Sequence, residues 1–273
     1  MNNNAPIGVF DSGLGGLTGV REFLKILPDE NIVFFGDTWR MPYGPREVPE
    51  LIKFAKQDIQ FLLTHGVKMV IPICGTVSST FPKEIADELP VPYLGVIDSA
   101  VDSALASTKS KKIGVVGTVA TIYSGAYTRA ILQKMPDAEV TANSCPKLVP
   151  LIESGEIQPD NAVTLAAVQE YFAPLLEAEV DTIILGCTHY PVITEIIRKV
   201  VGQDVTLIDP GKETVKQAAV FLKEQGMLAQ ATGNASVKYF VSGSAEKFGE
   251  LASIFLGLPV EEVTQIDIES IQV

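Results

Sequence analysis

The chain has 273 residues, 47% of them apolar, with 33 acidic against 21 basic side chains and a net charge of −12. That length fits two domains of ordinary size with real cores, and the acidic balance argues against a nucleic-acid or anionic-membrane surface. No uncharged apolar run reaches the roughly 18 residues of a membrane span, and Met1-Asn2-Asn3-Asn4 has neither the basic nor the apolar region of a secretory signal.

In chain order, apolar runs predict strands at 6–10, 32–36, 69–73, 93–96, 113–117, 139–142, 182–185, 205–209 and 238–241. Helical patterns fall between them at 48–64, 99–108, 159–178, 191–201, 211–225 and 245–256. Strand and helix in alternation predict an α/β fold of parallel sheets wrapped by helices. No short repeat is present, which argues against a solenoid.

Two segments share one layout. Val70-Ile71-Pro72-Ile73-Cys74-Gly75-Thr76 and Ile183-Ile184-Leu185-Gly186-Cys187-Thr188-His189 are apolar runs ending in Cys, with Thr close behind. Such runs read as buried parallel strands, and open α/β sheets bind ligands beyond the carboxyl ends of their strands. The two thiols lie more than 100 residues apart, one in each half, so two similar domains are expected to face each other. Two opposed bases, one on each side of a substrate carbon, are what a racemase needs. The cysteines, three in number and without CxxC spacing, fit reduced thiols in a cytoplasm. With two distant histidines they make no recognisable metal set.

The glycine-rich turn Asp11-Ser12-Gly13-Leu14-Gly15-Gly16-Leu17-Thr18 follows the first strand. It exposes backbone N–H groups that suit an anion. It matches neither GxxxxGK[ST] nor GxGxxG, so a nucleotide site is poorly supported; the plain alternative is a tight strand-to-helix turn. Gly114 to Thr121 repeats the theme, and Thr118 and Thr121 are candidates to hydrogen-bond a carboxylate.

Together these residues resemble the glutamate racemases of the cofactor-independent aspartate/glutamate racemase superfamily. The matching pieces are Phe10 to Thr18, Gly36-Asp37-Thr38, Pro42-Tyr43-Gly44, Cys74 with Thr76, Gly117-Thr118 with Thr121, Cys145-Pro146 leading to Pro150-Leu151-Ile152-Glu153, and Leu185-Gly186-Cys187-Thr188-His189-Tyr190-Pro191. They run in order over nearly the whole chain. The resemblance implies an active site in the cleft between two domains, 1–97 plus 210–273 carrying Cys74 and 98–209 carrying Cys187. It implies interconversion of L- and D-glutamate for peptidoglycan, no cofactor, a homodimer and a cytoplasmic location. By resemblance, Cys74 takes the Cα proton from D-glutamate and Cys187 from L-glutamate. Asp11 assists Cys74, and His189 assists Cys187 with Glu153 close by. Ser12, Gly75, Thr76, Thr118, Thr121 and Thr188 are expected around the amino and carboxyl groups of the substrate. Pro42, Tyr43 and Gly44 are expected, mostly through backbone, at its side-chain carboxylate.

Two positions depart from the family pattern. Gly75 stands where Asn is usual, which removes an amide that touches the substrate and lets Gly75→Asn be expected to raise kcat/KM. Trp39 stands where a small residue is usual, beside the expected side-chain pocket. The remaining cysteine, Cys145, reads as a buried turn residue, and His65 as a solvent-facing helix end. Asp98 and Asp209 read as helix caps, and Asp37 is left structural. Three rival functions are an aspartate racemase, a Cys-His-Asp hydrolase with one nucleophilic thiol, and a non-catalytic binding protein. The hydrolase leaves the second strand-end thiol unexplained, and the binding protein would treat Gly75 as decay.

Overall fold

The structure, a computed structural model, describes residues 3–230, 235–260 and 262–273. Two all-parallel sheets organise them. The first has the order β3-β1-β2-β8-β9, with β1 at Ile7–Asp11, β2 at Ile32–Gly36, β3 at Met69–Pro72, β8 at Val237–Val241 and β9 at Val263–Gln265. The second has the order β5-β4-β6-β7, with β4 at Lys112–Gly117, β5 at Glu139–Ser144, β6 at Thr182–Gly186 and β7 at Thr206–Ile208. β1, β2, β3 and β6 are buried at every residue. That is the continuous apolar run a parallel strand covered on both faces requires.

Helices supply the cover. They are α1 (Leu17–Ile26), α2 (Val48–Thr64), α3 (Gly75–Thr80), α4 (Lys83–Asp87), α5 (Val96–Ser107), α6 (Val119–Ser124), α7 (Ala126–Lys134), α8 (Leu148–Glu153), α9 (Ala162–Glu177), α10 (Thr194–Val201), α11 (Pro210–Glu224) and α12 (Ala245–Leu256). Several starts are written in the sequence. Asn161, Asp209 and Ser244 accept N–H groups at the starts of α9, α11 and α12. Gly257, with φ at +77°, closes α12 in the left-handed conformation.

In each sheet the chain reverses direction about a central strand. β1 is followed by β2 on one side and by β3 on the other; β4 is followed by β5 on one side and by β6 on the other. The crevices beyond β1/β3 and β4/β6 are thus topological switch points, where open α/β sheets bind ligands. Cys74 follows β3 and Cys187 follows β6.

Four readings change. The segment 93–96 makes a single bridge, Val70 to Tyr93, and no strand; Gly95 caps α5, which starts at Val96 rather than 99. Asp98 lies inside the first turn of α5 and is no cap, whereas Asp209 is one. The helix expected from 191 begins as a 3-10 turn over Tyr190–Ile193 before α10. His65 does end α2, but it is half-buried, with its ring 4.6 Å from Phe61 and 4.7 Å from Phe240. The short elements α3, α6, α8 and β9 escape the sequence reading because fewer than two turns, or three strand residues, show no period.

A buried charge network ties the loop after β2 to α2 and the carboxyl-terminal segment. Arg40, 4% exposed, pairs with Asp37 at 2.6 Å and Asp58 at 2.9 Å and donates to Gln57. Ser242 donates to the second Asp37 oxygen, and Tyr43 donates to both carboxylates. Burial, then the charge of Asp37, pushes the Asp58 carboxyl well above its usual range. Removing the cation strands two buried carboxylates, at a cost of about 3–5 kcal/mol for a broken buried pair. Arg40→Leu is therefore expected to lower the free energy of unfolding in urea by about that much; a change under about 1 kcal/mol would show that the network contributes little.

Candidate active site

The two switch points face each other across one cavity of about 440 Å³. From the first sheet it receives Asp11, Ser12, Gly13, the segment Met41 to Pro45, Cys74, Gly75 and Thr76. From the second come Thr118, Val119, Cys145, Pro146, Val149, Pro150, Glu153 and Gly186 to His189. Cys74 comes from the first half and Cys187, with Cys145, from the second; all three thiols are buried and free.

The surroundings of the two thiols differ. Cys74 ends β3, caps α3, and its thiol donates to Ser12 Oγ at 3.5 Å. Burial and the nearby Asp11 charge push the Cys74 thiol far above its usual range. Asp11 itself is 1% exposed. Its Oδ2 accepts Gly13 N–H and Gly16 N–H, each at 3.1 Å. The anion that the glycine-rich turn holds is therefore the protein's own Asp11. Burial raises the Asp11 carboxyl, and the His189 charge and these N–H groups offset that only in part. Its other oxygen, Oδ1, is buried with no hydrogen-bond partner among the described residues.

Cys187 has a relay. Its Sγ lies 3.8 Å from His189 Nδ1, and His189 Nε2 lies 2.9 Å from Glu153 Oε1. Burial by itself lowers the imidazole, but the hydrogen bonds to Cys187 and Glu153 and their charges outweigh it and hold His189 at about 10. Neutral solution therefore finds His189 protonated beside Cys187.

Hydroxyls line the seam between the halves. Thr76 Oγ1 and Thr118 Oγ1 are 3.1 Å apart across it. Thr118 caps α6 and lies 2.9 Å from Thr121 Oγ1. Thr121 is 1% exposed and lies behind Thr118, bonded to it. Tyr43 lines the cavity, but its hydroxyl is engaged with Asp37 and Asp58, so ring and backbone are what it offers. Trp39 is 71% exposed and lies at a surface groove with Gln265 and Glu269, away from the cavity lining. The expectation that it reshapes the pocket is overturned.

Gly75 also reads differently in three dimensions. A Cβ at this position would overlap the carbonyl oxygen of Gly186 and meet Thr121 Oγ1 at 3.4 Å. The ends of the two sheets touch backbone to backbone here, and no space exists for an amide. The expected gain from Gly75→Asn is withdrawn on that ground.

Among the described lining residues none is Lys or Arg. The wall formed by Met41, Pro42, Pro45, Val119, Pro146, Val149 and Pro150 is apolar. Sequence reasoning named Pro42 but missed Met41, Pro45, Val119 and Val149, and took Cys145 as structural although it reaches the wall while buried.

Residues 38–218 match the Asp/Glu/hydantoin racemase family. The glutamate racemase of Desulforudis audaxviator is 41% identical over 95% of this chain and 97% of its own. The chain belongs to the Asp/Glu/hydantoin racemase family. Among solved racemases of the family, the glutamate racemase isoform of Bacillus anthracis is 35% identical with a TM-score of 0.92, covering 97% of this chain and 98% of that one. The Francisella tularensis glutamate racemase, solved with D-glutamate, is 36% identical with a TM-score of 0.90 over 98% and 99% of the two chains.

Two outcomes follow for this racemase-family site. Gly75→Ala and Gly75→Asn are expected to lower kcat/KM and to cost about 1–3 kcal/mol of stability, as overpacking does. A gain in kcat/KM would restore the missing-amide account. His189, at about 10 when folded against 6.5 as its ordinary value, contributes stability that is full below pH 6.5 and is lost as pH rises through 10. The midpoint of urea unfolding should fall over that window, and His189→Gln should flatten the slope; an unchanged slope would mean no such shift.

Proposed function

We propose that this chain is a glutamate racemase that inverts the substrate by moving protons between two thiols. The observation that supports it most is the pairing of two buried cysteines from opposite halves in one cavity, each with its own titratable partner. A single-thiol hydrolase has no use for the second, and a binding protein has no use for either partner.

With L-glutamate, Cys187 acts as thiolate and takes the Cα proton. The electron pair stays on Cα, and the Cys74 thiol delivers its proton to the opposite face. D-Glutamate leaves with Cys187 protonated and Cys74 ionised, and the reverse reaction or proton exchange through His189–Glu153 and Asp11 resets the pair. The protonated His189 stabilises the Cys187 thiolate; in the reset the buried Asp11 hands a proton to the Cys74 thiolate, while Cys187 loses its proton through His189 and Glu153. The difficult species is the Cα carbanion, which a dry site with fixed donors stabilises better than water does. Ser12, Gly75, Thr76, Thr118 and Thr188 supply donors for the α-amino and α-carboxylate end. The backbone of Pro42, Tyr43 and Gly44 receives the side-chain carboxylate. Thr121, bonded to Thr118, completes that end.

The reading extends to the cell. D-Glutamate is a peptidoglycan building block, and we place the enzyme in the cytoplasm as a homodimer. It also divides the chain into lobes at 1–97 plus 210–273, carrying Cys74, and 98–209, carrying Cys187.

The test is Cα-proton exchange in D2O, starting separately from L- and D-glutamate and followed with optical rotation. Exchange with inversion from both enantiomers is expected, with Cys74→Ser and Cys187→Ser each abolishing inversion. Silence with glutamate would overturn the proposal, and turnover of aspartate in its place would reassign the substrate.

A further inference from the structure

We infer that Gly15 and Phe255 are positioning residues that clamp the His189 ring from the opposite half of the molecule, fixing its Nδ1 against Cys187. This rests on the racemase reading and deepens it. His189 follows β6 of the second sheet. Gly15 lies in the turn after β1, and Phe255 lies in α12, which packs on the first sheet and α1.

The contact at Gly15 is close. A Cβ there would overlap Thr188 Oγ1 and stand 2.6 Å from His189 Nδ1 and 2.8 Å from His189 Cε1. The bare Cα thus lies along the ring edge that faces Cys187. Gly15 is absent from the positive-φ positions; space, not backbone conformation, is what demands glycine here. One residue before His189, Thr18 Oγ1 donates to the Thr188 carbonyl at 3.2 Å and pins the same loop from the same side. Phe255, fully buried, meets the imidazole at 5.0 Å between centroids with the planes at 81°.

With Glu153 on Nε2 and Cys187 at Nδ1, the ring has a partner at each nitrogen and a wall from the other half. At 3.8 Å the sulfur–nitrogen contact has little slack, because longer sulfur contacts fall outside hydrogen-bond range. A methyl group at 15 displaces Nδ1, and a smaller side chain at 255 lets the ring rock. Either change uncouples the Cys187 side while Cys74 and Asp11 keep their contacts. The titratable groups acting on His189 are Cys187 on its own loop, Glu153 on α8 and Asp11 on β1. Gly15 and Phe255 bring no charge, so they act through position.

The experiment compares Gly15→Ala and Phe255→Leu with the parent, using whole protein and Cα-deuterated L- and D-glutamate. Because the products are mirror images, the equilibrium constant is one and kcat/KM must fall equally in both directions. A fall of about 100-fold is expected for Gly15→Ala, the scale of a 1 Å misplacement. The discriminating readout is the deuterium isotope effect, expected to rise for the one enantiomer whose proton Cys187 takes and not for the other. In parallel, the chain has two histidines, so NMR titration follows the His189 imidazole, identified by its loss in His189→Gln. Its midpoint should drop from about 10 toward 6.5 in both variants. Equal rises in isotope effect for both enantiomers, or an unmoved titration, would overturn the clamp. Should Gly15→Ala fail to fold, Phe255→Leu carries both readouts. A parent without racemase activity would sink the functional proposal alone, since the titration still reports the clamp.

Discussion

Two parallel sheets meet at their carboxyl ends with so little space that, in two places, only a hydrogen atom fits. At Gly75 the backbone lies against the Gly186 carbonyl, and at Gly15 it lies against Thr188 and His189. Everything in the site depends on this approach. It brings one thiol from each sheet into a shared cavity, lets Thr76 reach Thr118, and seats the His189 ring against the opposite half. Close-packed interiors do not deform smoothly, so a side chain inserted at either glycine displaces a strand end rather than a solvent molecule.

The second determinant is charge. A substrate with two carboxylates enters a protein of net charge −12, and no described lining residue is Lys or Arg. Arg40, next to the segment that forms one wall, is spent internally on Asp37 and Asp58. Substrate anions must rely on hydroxyls, backbone N–H groups and the protonated His189. Neutral donors hold a carboxylate without locking it, and an apolar wall strengthens each such bond by excluding water. The same burial sets the protonation states. It raises Cys74 and Asp11 together, while the Cys187 relay overcomes it at His189 through direct hydrogen bonds.

Much of this is legible along the chain. Parallel strands buried on both faces announce themselves as apolar runs, and a residue that ends such a run is placed at the ligand-binding edge by topology alone. Cys74, Cys187, Asp11 and His189 were found that way, and the ordered motifs linked them to a family. Asp209 was read as a cap because its hydrogen bond is local. Short elements such as α3 and α6 left no period to read, although they carry Thr76 and cap with Thr118.

The sequence by itself determined the strand ends and the pair of thiols that follow them, because these depend on neighbours a few residues away; the partner expected for each thiol came from the family resemblance. The tertiary structure alone decided which side of each residue faces the cavity. Thr121 stands behind Thr118, Trp39 points outward, Gly75 abuts a carbonyl 111 positions later, and Phe255 packs on His189. Each of these contacts joins segments far apart in the chain or depends on how the two sheets sit. Packing between sheets is a property of the assembled surfaces, and no local pattern of residues encodes it.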